Sequence, residues 1–495
     1  EFIDFDFSTN ISNANIGKLN LTLADDNSLA GTITTKLRGS KISDLIGDIS
    51  FKNFIYRLGE NVYEFDELLA QSRINNEKRI FNINSPDAVS GIIIGDLNFF
   101  KFNDILLNHL FSRYQNFDSG DFPYKDFSFN LNFKPKIAGV FKTQVDIDEN
   151  TFLRGAFSSD KSFELILTSP YIEFDNLSLE NVDVKITNNS GFLKFKKVDS
   201  KLFNGDDFII NTFFENDVTN FDIDFNTSKG INQMNFNHTI DKNMRSLISF
   251  SKISFDYNNN RWLLDESSEI NKNKFIFNND YKELKSTKIK SGKQTIEFKY
   301  LNNENKFDFQ SIFKSVNFSS LIPKPKNILY DGIVNGKVSL KKTGNIYSGK
   351  SNIVMKDFSS NGYILGDAYV DIESSELRDK YNIQVKLTDK DFDIFDVNGS
   401  FQIDDLDYPL NLDVKTKNFR IKPFSAIGEN VLQNFDGYFD SEFNVSGSLQ
   451  KPNFRGFIKA VNTSFDVPYL GVRYSFPENP SFELNQMSIN IDEFK

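Results

Sequence analysis

The sequence predicts an all-β protein, and three observations predict it. Apolar and polar residues alternate with period two along almost the whole of the 495 residues, as they do in strands whose successive side chains point to opposite faces. Clusters of Asn, Asp, Gly and Ser recur about every 12 to 18 residues, a turn spacing of all-β chains. Helical periodicity is scarce.

The strands follow in order. Phe163, Leu165 and Leu167 share one face of the first clear segment. Val182, Val184 and Ile186 alternate with Asp183 and Lys185, and Phe221, Ile223 and Phe225 with Asp222 and Asp224. Ile383, Val385 and Leu387 continue from Tyr381, between Asn382, Gln384 and Lys386. Leu410, Leu412 and Val414 alternate with Asn411 and Asp413. Phe439, Phe443 and Val445 lie opposite Glu442 and Asn444, and Val472, Tyr474 and Phe476 opposite Arg473 and Ser475. Each segment therefore has one apolar and one wet face. Between segments lie hairpin linkers such as Asn258-Asn259-Asn260 and Lys342-Thr343-Gly344-Asn345, whose residues tolerate turn geometry.

Two helical interruptions are expected. Residues 103–117 place Ile105, Leu106, Leu110, Phe111 and Tyr114 to one side after a cap at Asn103 or Asp104. Residues 423–434 carry Ile427, Val431 and Leu432 on one face. Residues 40–46 and 318–321 are each expected to form a turn or two. The first helix, with few flanking Lys or Arg, is expected to pack as a plug against the sheet rather than on a membrane. His109 is placed on its solvent side, His238 in the packing or at a rim, and Trp262 in the core. Length suggests about three domains at roughly 150 residues each, yet no stretch reads as a linker. Residues 1–495 are therefore expected to form one continuous segment. Both ends fall inside strand-like alternation, which is expected of a piece of a longer protein.

Composition narrows function. There are 57 Lys and Arg against 68 Asp and Glu, a net charge of −11, which disfavours a phosphate-backbone binder. There is no Cys and only two His, His109 and His238. Thiolate zinc sites, a cysteine nucleophile and a Ser-His-Asp hydrolase find no support. Carboxylate pairs such as Asp404-Asp405 read as turns, and no Asp-x-Asp-x-Asp-Gly calcium loop occurs. No enzyme activity, metal or cofactor is predicted. Phe numbers 54 against 17 Tyr and 1 Trp. Aliphatic and Phe side chains suit acyl chains better than sugars, which usually meet Trp and Tyr.

The apolar faces must be buried. A sandwich array would seal them. Alternatively, one long sheet curls into an open trough, in which about thirty strands at ~4.8 Å each reach on the order of 140 Å. The alternation fits both. The segments containing Asp331-Gly332 and Asp436-Gly437 are loose repeats about a hundred residues apart, a feature of elongated arrays.

The stretch from Ser464 to Phe476, with Val467-Pro468-Tyr469-Leu470-Gly471-Val472 at its centre, resembles a strand-turn-strand signature of the TamB family, the inner-membrane component of the translocation and assembly module within the AsmA-like group, in its Bacteroidota form. Lys451-Pro452-Asn453-Phe454-Arg455-Gly456 is similar to the family's recurring G-x-L-x-x-P-x-x-x-G element. Arg261-Trp262-Leu263-Leu264-Asp265 through Ile270, Phe275-Ile276-Phe277 and Ile296-Glu297-Phe298 resemble its mid-chain ladder. The likeness covers most of the chain diffusely. The family's membrane anchor and C-terminal domain are expected to lie outside this piece.

The resemblance implies an elongated, curled antiparallel β-sheet with a taco-like hydrophobic groove. It implies the periplasm of a Gram-negative cell envelope, with the full-length protein anchored in the inner membrane. It further implies phospholipid transport to the outer membrane and partnership with an outer-membrane barrel protein. The 21 alternating residues named above, Phe163 through Phe476, are then the expected lipid-contacting lining. Alternatives are a chaperone for barrel proteins that pairs through edge strands, and a structural or adhesive extracellular β-array.

Overall fold

A computed structural model describes residues 3–15, 18, 27–40, 45–59, 61–76, 78–95, 102–111, 114, 126–140, 145–160, 162–200, 204–227, 230–265, 272–322, 329–344, 346–374, 380–390, 392–402, 409–428, 431–476, 478–486 and 488–490. The protein is all-β and antiparallel, with two short α-helices among the described residues, α1 (Phe102–Phe111) and α2 (Pro135–Val140). Contacts group the chain into two compact units, Glu1–Ser246 and Leu247–Lys495.

In the first unit each strand pairs mostly with its neighbour in the chain, as hairpins dictate. One departure is local. Thr151–Phe157 pairs with both Phe127–Phe133 and Phe163–Phe174, while the short strand Val145–Ile147 takes the far end of the latter. Register then aligns apolar positions across strands. Phe129, Gly155, Leu165, Ile186, Gly191, Thr212, Phe221 and Phe236 stand opposite one another on eight successive strands. A side chain at Gly155 would run into the ring of Phe129, with its Cβ 2.4 Å from Cζ. Glycine here makes room for a stack of Phe rings.

The second unit repeats the device. Leu264, Ile289, Ile296, Phe313, Gly336, Ile353, Val370, Val385, Val397, Val414, Phe443, Gly456 and Leu484 form one row over thirteen strands. Gly336 has φ 140°, and a Cβ there would lie 2.0 Å from the Asn352 carbonyl oxygen. Trp262, 2% exposed, centres the core of this unit with Ile289, Val316, Val334 and Met355.

Bulges break the alternation at defined residues. Asp207, Ser315, Asp357 and Asn418 have φ of 50–52°, each beside a register shift. Asn and Asp tolerate this left-handed conformation better than most residues, and one extra residue bends the strand. A carboxylate or amide on the next strand accepts the amide N–H freed at three of them: Asn335 for Ser315, Asp367 for Asp357 and Asp440 for Asn418.

The wet face is laced with ion pairs, for example Lys185–Glu164 and Lys415–Glu442. Most are exposed and contribute little. Asp265 is more enclosed, with Lys288 at 2.9 Å and Lys290 at 3.2 Å. The hydrogen bond from Lys288, against an opposing effect of burial and helped by Lys290, holds its pKa below the ordinary 3.8. A carboxylate depressed in the folded state stabilises above its unfolded pKa, and that stabilisation is lost as pH falls through the folded value. Asp265→Asn should therefore lower the urea midpoint, read by Trp262 fluorescence, at neutral pH. The gap to the unsubstituted protein should close in strong acid. A gap independent of pH would show that charge at Asp265 is not what stabilises.

Both expected helical interruptions are matched in part. α1 ends at Phe111, and residues 112–113 and 115–117 lie outside the described residues, as do 41–44, Ile270 and Asp404-Asp405. Of residues 423–434, those up to Gly428 are in a short 3-10 helix, Lys422–Gly428, and Gln433 and Asn434 already belong to the strand Gln433–Gly447. The reason is pairing: from Gln433 onward the backbone is engaged by the strand Pro452–Val467, which outweighs a short apolar pattern.

Candidate apolar binding site

The sequence-marked residues fall on two sheet faces, one in each unit. In the first unit Leu165 stands opposite Ile186, Leu167 opposite Val184, and Val184 leads through Leu193 and Ile210 to Ile223. Phe163 faces Phe157, Val182 faces Ser169, and Phe225 stacks on Phe208 at 4.8 Å. In the second unit Ile383, Val385 and Leu387 face Ile372, Val370 and Ala368. Val397 joins Val385 to Val414, while Leu410, Leu412 and Val414 lie opposite Gly447, Val445 and Phe443. Phe439 faces Ala460, and Tyr474 and Phe476 close on Phe465 at 5.8 Å each. Val472 faces Val467 at the hairpin tip.

Burial separates a sealed core from an accessible face. Of these 21 residues only Phe163, Val182, Leu387 and Val414 are buried; Val472 is exposed, and the remaining sixteen are half-buried. A sandwich core would bury such rows from both sides.

Short segments cover parts of each face. In the first unit α1 lays Ile105, Leu106 and Leu110 against Ile93, Phe127, Phe129, Phe157 and Phe163. His109 is not solvent-facing as expected. It is 4% exposed, its ring edge-on to Phe157 and Phe163, with Nδ1 2.8 Å from the Ile105 carbonyl. The stacked Phe rings offer an aromatic slot that the sequence pattern alone did not distinguish from solvent. Tyr114, 3% exposed, then reaches across to the strands of Phe214, Thr219 and His238, its hydroxyl bonded to Thr219 Oγ1 and lying 2.7 Å from His238 Nδ1.

Tyr114→Phe removes the hydroxyl that ties α1 to those strands and leaves buried Thr219 short of a partner. A cost of about 1–3 kcal/mol follows. Hydrogen exchange of the α1 amides should accelerate about tenfold or more; unchanged exchange would show that the hydroxyl does not hold the helix down.

In the second unit two 3-10 turns serve as covers: a first cap, Phe318–Ser320, and a second, Lys422–Gly428. They are equivalent in the chain, 422 − 318 = 104 residues apart. Each follows a bulge, at Ser315 or Asn418, and precedes the Asp-Gly pair seen in the sequence. In both pairs the Asp carboxylate accepts the Gly N–H. Each cap is pinned by an asparagine in a hairpin turn. Asn258 Nδ2 donates to the Ile322 carbonyl at 2.8 Å, and Asn361 Nδ2 to the Pro423 carbonyl at 2.7 Å.

Between the caps lies a cavity of about 550 Å³, within the range of small-molecule sites. Phe318 and Ile322 wall one side and Phe419 and Phe424 the other, over a floor of Met355, Leu365, Ala368, Val385, Leu387 and Phe395. Tyr330, Phe358 and Lys386 complete the lining. Val385 and Leu387 were named from sequence. Phe358 and Phe419 were missed, because each follows a bulge that shifts the parity. A signal was present: Lys356-Asp357-Phe358 and Lys417-Asn418-Phe419 share a Lys-Asx-Phe triplet, as does Lys52-Asn53-Phe54, whose Asn53 also has positive φ.

Among the described residues no group of three His, Cys, Asp or Glu is placed to hold a metal ion, and no helix is long and apolar enough to cross a membrane. Neither family models, nor curated proteins, nor solved structures yield a match to this chain.

Proposed function

We propose that the protein binds lipid acyl chains on its apolar sheet faces, as a groove-forming segment of a lipid-conducting envelope protein of the TamB type. The observation that carries this reading is the set of in-register apolar rows that are half-buried rather than sealed, with an apolar cavity set into one of them. Acyl chains would replace water against these rows at about 25 cal/mol per Å² of apolar surface buried. Binding of this kind has no directional polar contact. It suits a surface that must hold chains and release them.

The remainder of the reading rests on the sequence resemblance. The cargo is phospholipid, the place is the periplasm between the two membranes, and the partner is an outer-membrane barrel protein. No catalytic chemistry enters the proposal. Lipid extracted from the purified full chain and identified by mass spectrometry is the test. Co-purified phospholipid that is lost from Val385→Asp/Val445→Asp supports it. A folded protein that carries no lipid and takes up none from vesicles refutes it in favour of a structural β-array.

A further inference from the structure

We propose that the cavity between the two caps is a discrete station for one acyl chain, whose phosphate-bearing headgroup rests in a polar recess on the other side of the second cap. The inference rests on the lipid-binding reading above and adds a site, a stoichiometry and a headgroup to it.

Size sets the chain. At about 30 Å³ for a water-sized group, 550 Å³ holds roughly eighteen such groups, one long hydrocarbon chain. Walls set the count. A ring of each cap packs on a ring of the sheet, Phe318 on Phe358 and Phe424 on Phe419, and these pairs flank the cavity along the sheet. The asparagine pins on Ile322 and Pro423 hold those walls in place. A chain sliding along the sheet would have to pass these ring pairs.

Charge sets the headgroup. The second cap is two-sided: Phe424 faces the cavity, while Lys422, Pro423 and Ser425 line a separate recess of about 410 Å³ with Tyr363 and Arg473. The Lys422 ammonium sits 5.9 Å from the Tyr363 ring centre and meets no carboxylate among the described residues. Arg473 spends two donors on Asp466 and Ser464, and a guanidinium has five. The one carboxylate lining the recess, Asp436, accepts the Gly437 N–H. With Arg473 paired to Asp466, Lys422 is the cation left to meet a phosphate monoester joined to a hydrocarbon tail in the neighbouring apolar cell.

The test uses the delipidated full chain, titrated by calorimetry with three probes: an oleoyl lysophosphatidate, oleyl alcohol and glycerol phosphate. Two variants accompany it. Ala368→Phe fills the cell from its floor, and Lys422→Glu reverses the charge at that position of the second cap. The expected result is one tight site for the lysophosphatidate, weaker binding of the alcohol and none of glycerol phosphate. Lys422→Glu should weaken the lysophosphatidate about tenfold, the loss of one charge-assisted hydrogen bond, and leave the alcohol unchanged. Ala368→Phe should remove the tight site for both. If the protein binds these lipids but Ala368→Phe keeps the tight site, the station is wrong and the general reading survives. If Lys422→Glu has no effect, or weakens both probes alike, the headgroup assignment falls. If the protein binds neither amphiphile, the lipid-binding reading itself fails.

Discussion

Phe157→Ala is expected to destabilise the first unit by about 3–5 kcal/mol, the range for removing a fully buried aromatic. Phe157 is 1% exposed and sits at the middle of a stack, 5.0 Å from Phe127, 5.7 Å from Phe163 and 6.1 Å from Phe129. His109 of α1 meets its ring edge-on at 5.1 Å. One truncation thus empties the contact between helix and sheet and the contact among three strands together. Against a typical total of about 5–15 kcal/mol, such a loss leaves the unit marginal. Urea unfolding followed by circular dichroism, with hydrogen exchange to locate the change within residues 3–240, measures it. Phe392→Ala, at a position 75% exposed, should shift the midpoint by no more than about 0.5 kcal/mol equivalent. A cost below about 1 kcal/mol at Phe157 would mean that the stack does not organise the unit.

The double substitution Val385→Asp/Val445→Asp is expected to abolish lipid co-purification. Val385 pairs with Val370 and Val397 and lines the cavity; Val445 pairs with Leu412 and Phe454 two strands beyond Val397. Both are half-buried. A carboxylate there keeps water beside it, since an unpaired charge in an apolar setting costs several kcal/mol. The same exposure lets the sheet tolerate it better than a sealed core would. Folding is checked by the far-ultraviolet spectrum and the emission of buried Trp262. Should the variant unfold, Ala368→Phe offers the same comparison without a buried charge. Retained phospholipid in a folded variant would place the lipid away from these rows.

Strands were legible because period two is a local property. Leu410, Leu412 and Val414 declare a face within five residues, and no distant contact is needed to read it. The same locality explains the errors. His109 was placed in solvent because nothing near it in the chain reveals Phe157 and Phe163 across the fold. Residues 423–434 looked helical to their end, where only Lys422–Gly428 is a 3-10 helix, because a short apolar spacing cannot disclose a waiting partner strand. Phe358 and Phe419 escaped because a single residue with positive φ exchanges the two faces beyond it. Tyr114 and His238 lie 124 residues apart, and no periodicity joins them.

The sequence by itself determined the class of structure, the apolar face of each strand as far as a bulge and the turn chemistry between strands, since each follows from the steric and solvation preferences of a few adjacent residues. It also carried the repeat that places the two caps. Only the tertiary structure decided the register that aligns those faces into rows across eight and thirteen strands. It alone brought α1 over one face and set a cavity between two caps 104 residues apart. These features arise from contacts between residues far apart in the chain, where hydrogen-bonded pairing and aromatic packing outweigh local preference.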